Sequence, residues 1–335
     1  MLELRDVSRS LGGDPILDRT SLDFPSDSPT AVLGLGPQAR EIFLRLLSGA
    51  EKPQSGRIKL AGRDIAQVKR EKHRIVRISG AGLKPSGQRV GKLIGASAAA
   101  RVRLNGKLDA QVNALDLDQR VRLAIAVAVE EGAGLILIDS PASGLELDPR
   151  QRFIADLKTM LSGTGAVVVL AAGMADEARG LDGYAVVLGR GRVAQQGAAA
   201  EVFGHPANLT VALATSFPAL NTLPMLSRDG RGVLADGSTF QPPQEMSLPE
   251  DTRCTLAFRP DDTTLERQDE RCLRFVARAD REEKQAGRRF LRIGFGGASW
   301  LTPLTAEAPR PGMVVNLFVE RSRLMLFGAD GRAIV

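Results

Sequence analysis

The candidate chemistry lies in two short segments, each of which follows an apolar run. The segment GLGPQAREI begins at Gly34, contains Gly36, and comes directly after the apolar residues 30–33. A strand, a glycine-bearing turn and a helix N-terminus place backbone N–H groups where they can cradle phosphate. The second apolar run, residues 135–138, ends in Asp139, where a nucleotide enzyme holds magnesium. Many α/β folds carry both features without a ligand, so a purely structural reading stays open.

The elements around these segments indicate an α/β fold for the first part of the chain. Apolar runs predict strands at 30–33, 74–78, 134–138, 166–170 and 184–188. Between them, Ile42, Leu46 and Leu47 share one face of a helix that should end at Gly49, and an Asp-Pro start predicts another helix over 148–161. Strands that alternate with helices are typical of a parallel sheet covered by helices.

The second part of the chain changes character after residues 216–225. Short segments separated by glycine and proline predict a small barrel or sandwich, with no convincing helix after Gly230. The segments that predict strands are LAFRP, RFVARA, RFLRIGFG, VVNLFVE and RLMLFG. We therefore expect two domains, at 1–217 and 218–335.

Composition excludes several classes of protein. Of the 335 residues, 43% are hydrophobic and 25% are charged, as in a soluble globular protein, and no apolar run approaches the ~18 residues that cross a bilayer. With no secretory pattern at the start, we expect a chain that stays in the cytoplasm. The two cysteines, Cys254 and Cys272, have no CxxC spacing, which argues against a zinc or disulfide scaffold. The interleaved basic and acidic residues and the small number of aromatic residues argue against binding to nucleic acid, despite a net charge of +6.

Read together, these segments resemble the ATP-binding subunits of ABC transporters, in the sugar- and polyol-importer branch. The stretches that carry the resemblance are MLELRDVSRSLG, the P-loop position at 34–49, SGRIKLAGRDI, DQRVRLAIAVAV as the signature helix, LILIDSPASGLE as Walker B and D-loop, residues 183–208, LAFRPDDTTL and RSRLMLFGADGR. The stretch FPALNTLP is most similar to one subunit of glycerol importers that use two different ATPase chains. The resemblance implies a P-loop NTPase-like ABC nucleotide-binding domain, then a small all-β regulatory domain of OB/TOBE-like type.

Most phosphate-binding positions implied by this resemblance carry other residues. Arg40 stands at the P-loop lysine, which keeps the charge but not the compact ammonium. Glu41 replaces the Ser or Thr that would bind Mg²⁺ and brings a negative charge near the phosphates. Pro37 and Ala39 replace glycines, and Leu11 replaces the aromatic that would stack on adenine. The nucleotide site is therefore expected to be degenerate.

The catalytic positions are altered as well. Asp139 remains as a candidate magnesium ligand, but Ser140 replaces the glutamate that would polarise the attacking water. Ser79 replaces the glutamine that senses the γ-phosphate, Ala172 replaces the switch histidine, and Glu146 replaces the D-loop aspartate. No catalytic position is intact, so hydrolysis at this site is not expected.

The signature motif has also changed. Where the family has Ser-Gly-Gly, this chain reads LDLDQ, with Asp116, Asp118 and Gln119 at a helix start. These carboxylates would compete with a phosphate for the helix N-terminus, although simple helix capping explains them too. For Glu41, the structural alternative is a first-turn acid paired with Arg40 or Arg45. The short stretch before the signature predicts a trimmed helical subdomain.

The sequence therefore predicts a pseudo-ATPase, the ATP-binding-type subunit of an importer for a sugar or small polyol such as glycerol. Its expected partners are the membrane subunits and a second, competent ATPase subunit, at the cytoplasmic face of the inner membrane. Binding of ATP and Mg²⁺ is expected to be weak or absent. The alternative is a stand-alone regulatory or ligand-sensing protein built on the same two folds.

Overall fold

The protein divides into two compact units, Met1–His205 and Pro206–Val335. The computed structural model describes residues 1–67, 74–234, 237–242, 246–266, 268 and 271–334. The division lies before the predicted boundary at 217/218, because the helix Leu209–Ala214 packs within the second unit. The backbone N–H of Leu209 donates to Gly331, and Ala212 joins a small apolar cluster with Phe327.

The first unit contains two sheets and a set of helices. Its strands are β1 Leu2–Leu11, β2 Asp14–Phe24, β3 Thr30–Leu33, β4 Ser55–Leu60, β5 Arg63–Asp64, β6 Ile75–Ser79, β7 Leu135–Asp139, β8 Val167–Ala171, β9 Tyr184–Gly189 and β10 Arg192–Ala198. Its described α-helices are α1 Pro37–Leu47, α2 Ala96–Arg101, α3 Leu117–Glu130, α4 Leu147–Leu161, α5 Ala175–Leu181 and α6 Ala199–Gly204.

The larger sheet confirms the five predicted strands. Its order is β10-β9-β3-β8-β7-β6, and β3 and β6 to β9 run parallel while β10 is antiparallel to β9. Strands β7 and β8 are almost entirely buried, which is why they read as unbroken apolar runs. The smaller sheet, in the order β2-β1-β4-β5, is antiparallel.

Helix α1 joins the two parts of the core beneath the candidate site. It buries Phe43, Leu44, Leu46 and Leu47, and these side chains pack with residues of both sheets in one cluster. Ser48 is its C-cap, and Gly49 follows with φ +68°. Glycine adopts this left-handed conformation without strain, and it commonly ends helices there. The predicted end of this helix is confirmed.

The region between β6 and α3 is small. It contains only the six-residue helix α2 and the 3-10 turns Val90–Lys92 and Val112–Ala114. None of the helices in the described part of the chain combines the length and the hydropathy of a membrane-spanning segment.

The second unit consists of the helix α7 Leu209–Ala214 followed by strands. These are β11 Asn221–Arg228, β12 Arg231–Val233, β13 Thr239–Phe240, β14 Arg253–Phe258, β15 Thr263–Thr264, β16 Cys272–Gln285, β17 Arg288–Phe295, β18 Ala298–Pro303, β19 Val314–Glu320 and β20 Met325–Phe327. They form two five-stranded sheets, β13-β12-β11-β14-β20 and β15-β19-β16-β17-β18. The fully buried Trp300 packs with Phe258, Phe275 and Phe295 in its core.

Candidate functional site

The carboxyl edge of the six-stranded sheet brings the predicted site residues together. Ser79 of β6 lies opposite Asp139 of β7, which in turn lies opposite Ala171 of β8. The backbone N–H of Ala172 donates to Val32 at 2.9 Å, which brings the end of β8 next to β3. Because parallel strands end at one edge, residues far apart in the chain meet here.

The turn between β3 and α1 needs glycine at its first position. Gly34 has φ +88°, and a Cβ there would lie 2.0 Å from the carbonyl oxygen of Leu188. Gly36 is the N-cap of α1 with an extended backbone, and the helix begins at Pro37. Pro37 suits the first helical position because its missing N–H has no helical partner there. Ala39 lies inside the helix, so the glycine-bearing turn has already ended at this position. A phosphate-binding loop that extended through position 39 would be longer.

Arg40 and Asp139 form an ion pair in the middle of the site. The Nε of Arg40 donates to Oδ1 of Asp139 at 2.9 Å, and its Nη1 donates to the carbonyl of Leu35 at 3.4 Å. Only 12% of the Arg40 side chain and 24% of the Asp139 side chain are exposed. The cation of the turn and the predicted magnesium ligand therefore form one internal ion pair.

Glu41 lies on α1 next to this pair but bonds to a different partner. Its carboxylate accepts a hydrogen bond from Nη2 of Arg77 at 2.5 Å, and about half of its side chain is exposed. The predicted pairing with Arg40 or Arg45 is wrong. Arg45 pairs with Glu51, and the sheet order brings β6, which carries Arg77, within reach of α1.

Ser140 holds a strained position directly after β7. It has φ +38°, unusual for a residue with a Cβ, and is 3% exposed. Its hydroxyl donates to the carboxylate of Glu177 on α5, at 3.1 Å from Oε2 and 3.3 Å from Oε1. A carboxylate therefore lies beside the position that lacks the expected glutamate.

Glu177 is fully buried and accepts several further hydrogen bonds. The backbone N–H groups of Ala142 and Gly173 donate to it at 2.9 Å each, and that of Met174 at 3.3 Å. Burial raises the pKa of Glu177, against these bonds and the charge of Arg150, which act to lower it. Sequence reasoning missed this residue, because an acid in the first turn of a helix is ordinary.

Arg150 of α4 completes the buried polar network. It is 2% exposed, and its Nη1 donates to the carbonyl of Ala142 at 2.5 Å. Its Nε and Nη2 donate to Asp176 at 3.1 and 2.7 Å. Ala142 is thus held at its carbonyl by α4 and at its N–H by α5.

At the signature position, the side chains of Asp116 and Gln119 cap the start of α3. Asp116 is the N-cap of α3, and its Oδ1 accepts the backbone N–H of Gln119 at 2.9 Å. Oε1 of Gln119 accepts the N–H of Asp116 at 3.3 Å, which completes a capping box. The capping interpretation of Asp116 therefore agrees with the structure.

Asp118 belongs to a buried charge network. It pairs with Arg122, whose Nη1 also donates to Asp156 at 2.9 Å and whose side chain is only 3% exposed. Burial raises the pKa of Asp118, against the attraction of Arg122. Its carboxylate is thus bonded to Arg122 within the unit.

The two remaining predicted site residues lie at the ends of other elements, Leu11 at the end of strand β1 and Glu146 at the start of helix α4. Leu11 ends β1 at the tip of the β1–β2 hairpin, in the smaller sheet, and is 39% exposed. Glu146 is the N-cap residue of α4 and makes no side-chain cap hydrogen bond.

Comparison with known proteins supports a relation to ATP-binding import subunits. No protein-family model matches the chain. The sn-glycerol-3-phosphate import ATP-binding protein UgpC 1 of Rhizobium johnstonii is 26% identical, over 100% of this chain and 96% of that protein. The sulfate/thiosulfate import ATP-binding protein CysA 2 of Chromobacterium violaceum is 29% identical, over 79% of this chain and 75% of that protein.

These relatives are named for different solutes. The chain is similar to import ATP-binding proteins named for glycerol phosphate, for sulfate or thiosulfate and for polyamines, so the predicted sugar and glycerol branch is one of several importer types among its relatives.

A solved structure supports the fold. The chain matches cbiO1 from Clostridium perfringens, described as part of the ABC transporter complex cbiONQ, with a TM-score of 0.52 and 21% identity. The match covers 61% of this chain and 90% of that one. The predicted ABC nucleotide-binding fold is confirmed.

Proposed function

We propose that this chain is the ATP-binding-type subunit of an ABC importer and that its own site does not hydrolyse ATP. The observation that carries the proposal is the ion pair between Arg40 and Asp139. In this arrangement the cation of the turn and Oδ1 of the strand-end carboxylate are already bonded to each other.

The residues at the turn do not fit magnesium and a triphosphate as they stand. Magnesium needs oxygen ligands in octahedral geometry, and Oδ1 of Asp139 already accepts from Arg40. Glu41 supplies no hydroxyl, and its carboxylate would repel the phosphates across a few ångströms. Any nucleotide or metal ion that uses the Nε of Arg40 or Oδ1 of Asp139 would first have to break this ion pair, which weakens the affinity.

The general base for hydrolysis is missing as well. Ser140 cannot accept a proton at neutral pH without a stronger base. The nearby Glu177 does not replace it, because its carboxylate is fully buried and accepts from three backbone N–H groups and the Ser140 hydroxyl. We propose that a second, competent ATPase subunit supplies the hydrolysis.

The relatives suggest where such a subunit works. Import ATP-binding proteins similar to this chain support an assembly with membrane subunits, at the cytoplasmic face of the inner membrane. For the solute we keep a sugar or a small polyol such as glycerol, since one relative that matches over the full length of this chain is named for a glycerol phosphate. The β-rich second unit is proposed to be an OB/TOBE-like regulatory domain.

Equilibrium binding of labelled ATP to the purified chain tests the proposal. We expect weak binding that Mg²⁺ does not strengthen. The double variant Arg40→Lys, Glu41→Ser should gain at least about tenfold in Mg²⁺-dependent affinity, because lysine cannot reproduce the guanidinium bonds and serine restores a metal-binding hydroxyl.

The matched control is Arg45→Lys on the same helix, which should leave the affinity unchanged because Arg45 pairs with Glu51 away from the turn. Tight Mg-ATP binding with turnover by the wild-type chain alone would contradict the proposal. Co-expression with the membrane subunits and the second ATPase subunit tests the assembly, which should fail or lose activity without this chain.

A ligand-sensing role is the second candidate, and a cleft in the second unit favours it. The cleft has a volume of about 490 Å³ and its polar lining includes Thr264, Arg271, Glu320 and Arg323. In this case the chain should purify without membrane subunits, and glycerol, a sugar or sulfate should raise its melting temperature. An Arg323→Ala variant should lose that shift.

A further inference from the structure

Two turns at the edge of the large sheet are held together by one buried side chain. The first turn follows β7 and contains Ser140 and Ala142, and the second follows β8 and contains Gly173 and Met174. Glu177 of α5 accepts hydrogen bonds from both, through the backbone N–H of Ala142 on one side and of Gly173 and Met174 on the other. The acceptor itself is fully buried, because Glu177 is 0% exposed.

The direct packing of the two turns is a separate observation. A Cβ on Gly173 would lie 2.2 Å from the hydroxyl oxygen of Ser140, so only glycine allows this approach. The hydroxyl in turn donates to Glu177. The turns therefore touch each other as well as the carboxylate that joins them.

Arg150 strengthens the same contact from the opposite side. It donates to the carbonyl of Ala142 and pairs with Asp176, the residue before Glu177.

A carboxylate has about four lone-pair sites, and the donors around Glu177 occupy them. Its acceptor capacity is used for the turns, and none remains to orient a water molecule.

We propose that Glu177 is a positioning residue that locks the turns after β7 and β8 into one rigid body, whose structure does not respond to nucleotide. In a nucleotide-driven subunit, residues at these turns would contact the nucleotide and its water. Here the missing glutamate at position 140 coincides with a carboxylate that ties both turns to the protein interior. The inference concerns the isolated chain and does not depend on the proposed transport function.

Hydrogen exchange of the full-length chain, read by NMR or by mass spectrometry with overlapping peptides, tests this lock. In the wild type the amides of Ala142, Gly173 and Met174 should exchange slowly, and adding Mg-ATP should not change their rates. Glu177→Ala should accelerate all three by at least about tenfold, because each of these N–H groups loses its acceptor. Exchange at Ile138 within β7 should stay slow.

The control variant is Glu201→Ala, which removes an exposed carboxylate on α6 and should leave these amides unchanged. If Glu177→Ala does not fold, Glu177→Gln is informative, since its one carbonyl oxygen can serve only one of the two turns. Exchange should then increase at Ala142 or at the Gly173–Met174 pair, but not at both.

Unchanged exchange in these variants would overturn the lock. So would fast exchange in the wild type, or protection that appears only with Mg-ATP. ATP affinity is measured separately, so failure of this inference and failure of the proposed function give different results.

Discussion

The two units of this protein use the same kinds of charged residue in opposite ways. In the first unit, Arg122 and Arg150 are 3% and 2% exposed and bond to carboxylates inside the fold. In the second, Arg289 pairs with Glu282 and Arg292 with Glu283 across the β16–β17 hairpin, where between 19% and 41% of each side chain is exposed. In the first set, Arg122 joins α3 to Asp156 of α4 and Arg150 joins α4 to Asp176 of α5, and the second set joins neighbouring strands.

The difference has an energetic consequence. A buried charge that loses its partner cannot be rehydrated, so removing one member of the pair is costly. An exposed charge that loses its partner returns to water, and such pairs contribute little. Variants that separate these two cases can break or sharpen the comparison.

The largest effect is expected for Arg122→Ala. This change leaves Asp118 and Asp156 without their buried cation and should lower the free energy of unfolding by about 3–5 kcal/mol. Urea denaturation followed by circular dichroism measures it. Arg103→Ala is the matched control, because Arg103 also pairs with Asp156 but its side chain is 67% exposed.

The control should cost less than about 1 kcal/mol. Equal losses for the two variants would show that burial does not set the strength of these pairs.

A smaller effect is expected at the signature helix. Asp116→Ala removes the N-cap of α3 and should cost about 1 kcal/mol, the usual value for a lost side-chain cap. The same denaturation assay checks it, with Asp109→Ala, an exposed residue in the preceding loop, as the control. A gain in stability instead would mean that the carboxylates at this helix start repel each other more than they cap the helix.

The smallest effect is expected on the hairpin, and it should depend on pH. The hydrogen bond from Arg292 lowers the pKa of Glu283 below its ordinary value. The ion pair therefore stabilises the fold above the ordinary pKa of glutamate, and this contribution is lost as the pH falls through the lowered pKa. Arg292→Ala should cost less than about 1 kcal/mol at pH 7 and almost nothing in acid.

Melting curves of the wild type and the variant between pH 7 and acid test this dependence, with Arg274→Ala as a surface control on β16. A difference that grows toward low pH would contradict the assigned pair.

Sequence patterns predicted the buried strands of the large sheet but not the pairings of the charged side chains. The strands around Asp139 were predictable because buried parallel strands appear as continuous apolar runs, and the ends of α1 and α4 carry recognisable glycine and Asp-Pro signals. Strands β12 and β13 were missed, since two or three residues give no periodicity. The partner of Glu41 was also missed, because Arg77 becomes its neighbour only through the order of strands in the sheet.

The order of residues along the chain was enough to reveal the α/β fold and the residue types that replace the phosphate-binding and catalytic groups, because both are local properties. Only the folded structure decided that Arg40 bonds to Asp139 and that Glu177 holds two turns together. Those contacts join residues on separate strands and helices, and no local pattern records which distant side chains a sheet edge will bring within hydrogen-bonding distance.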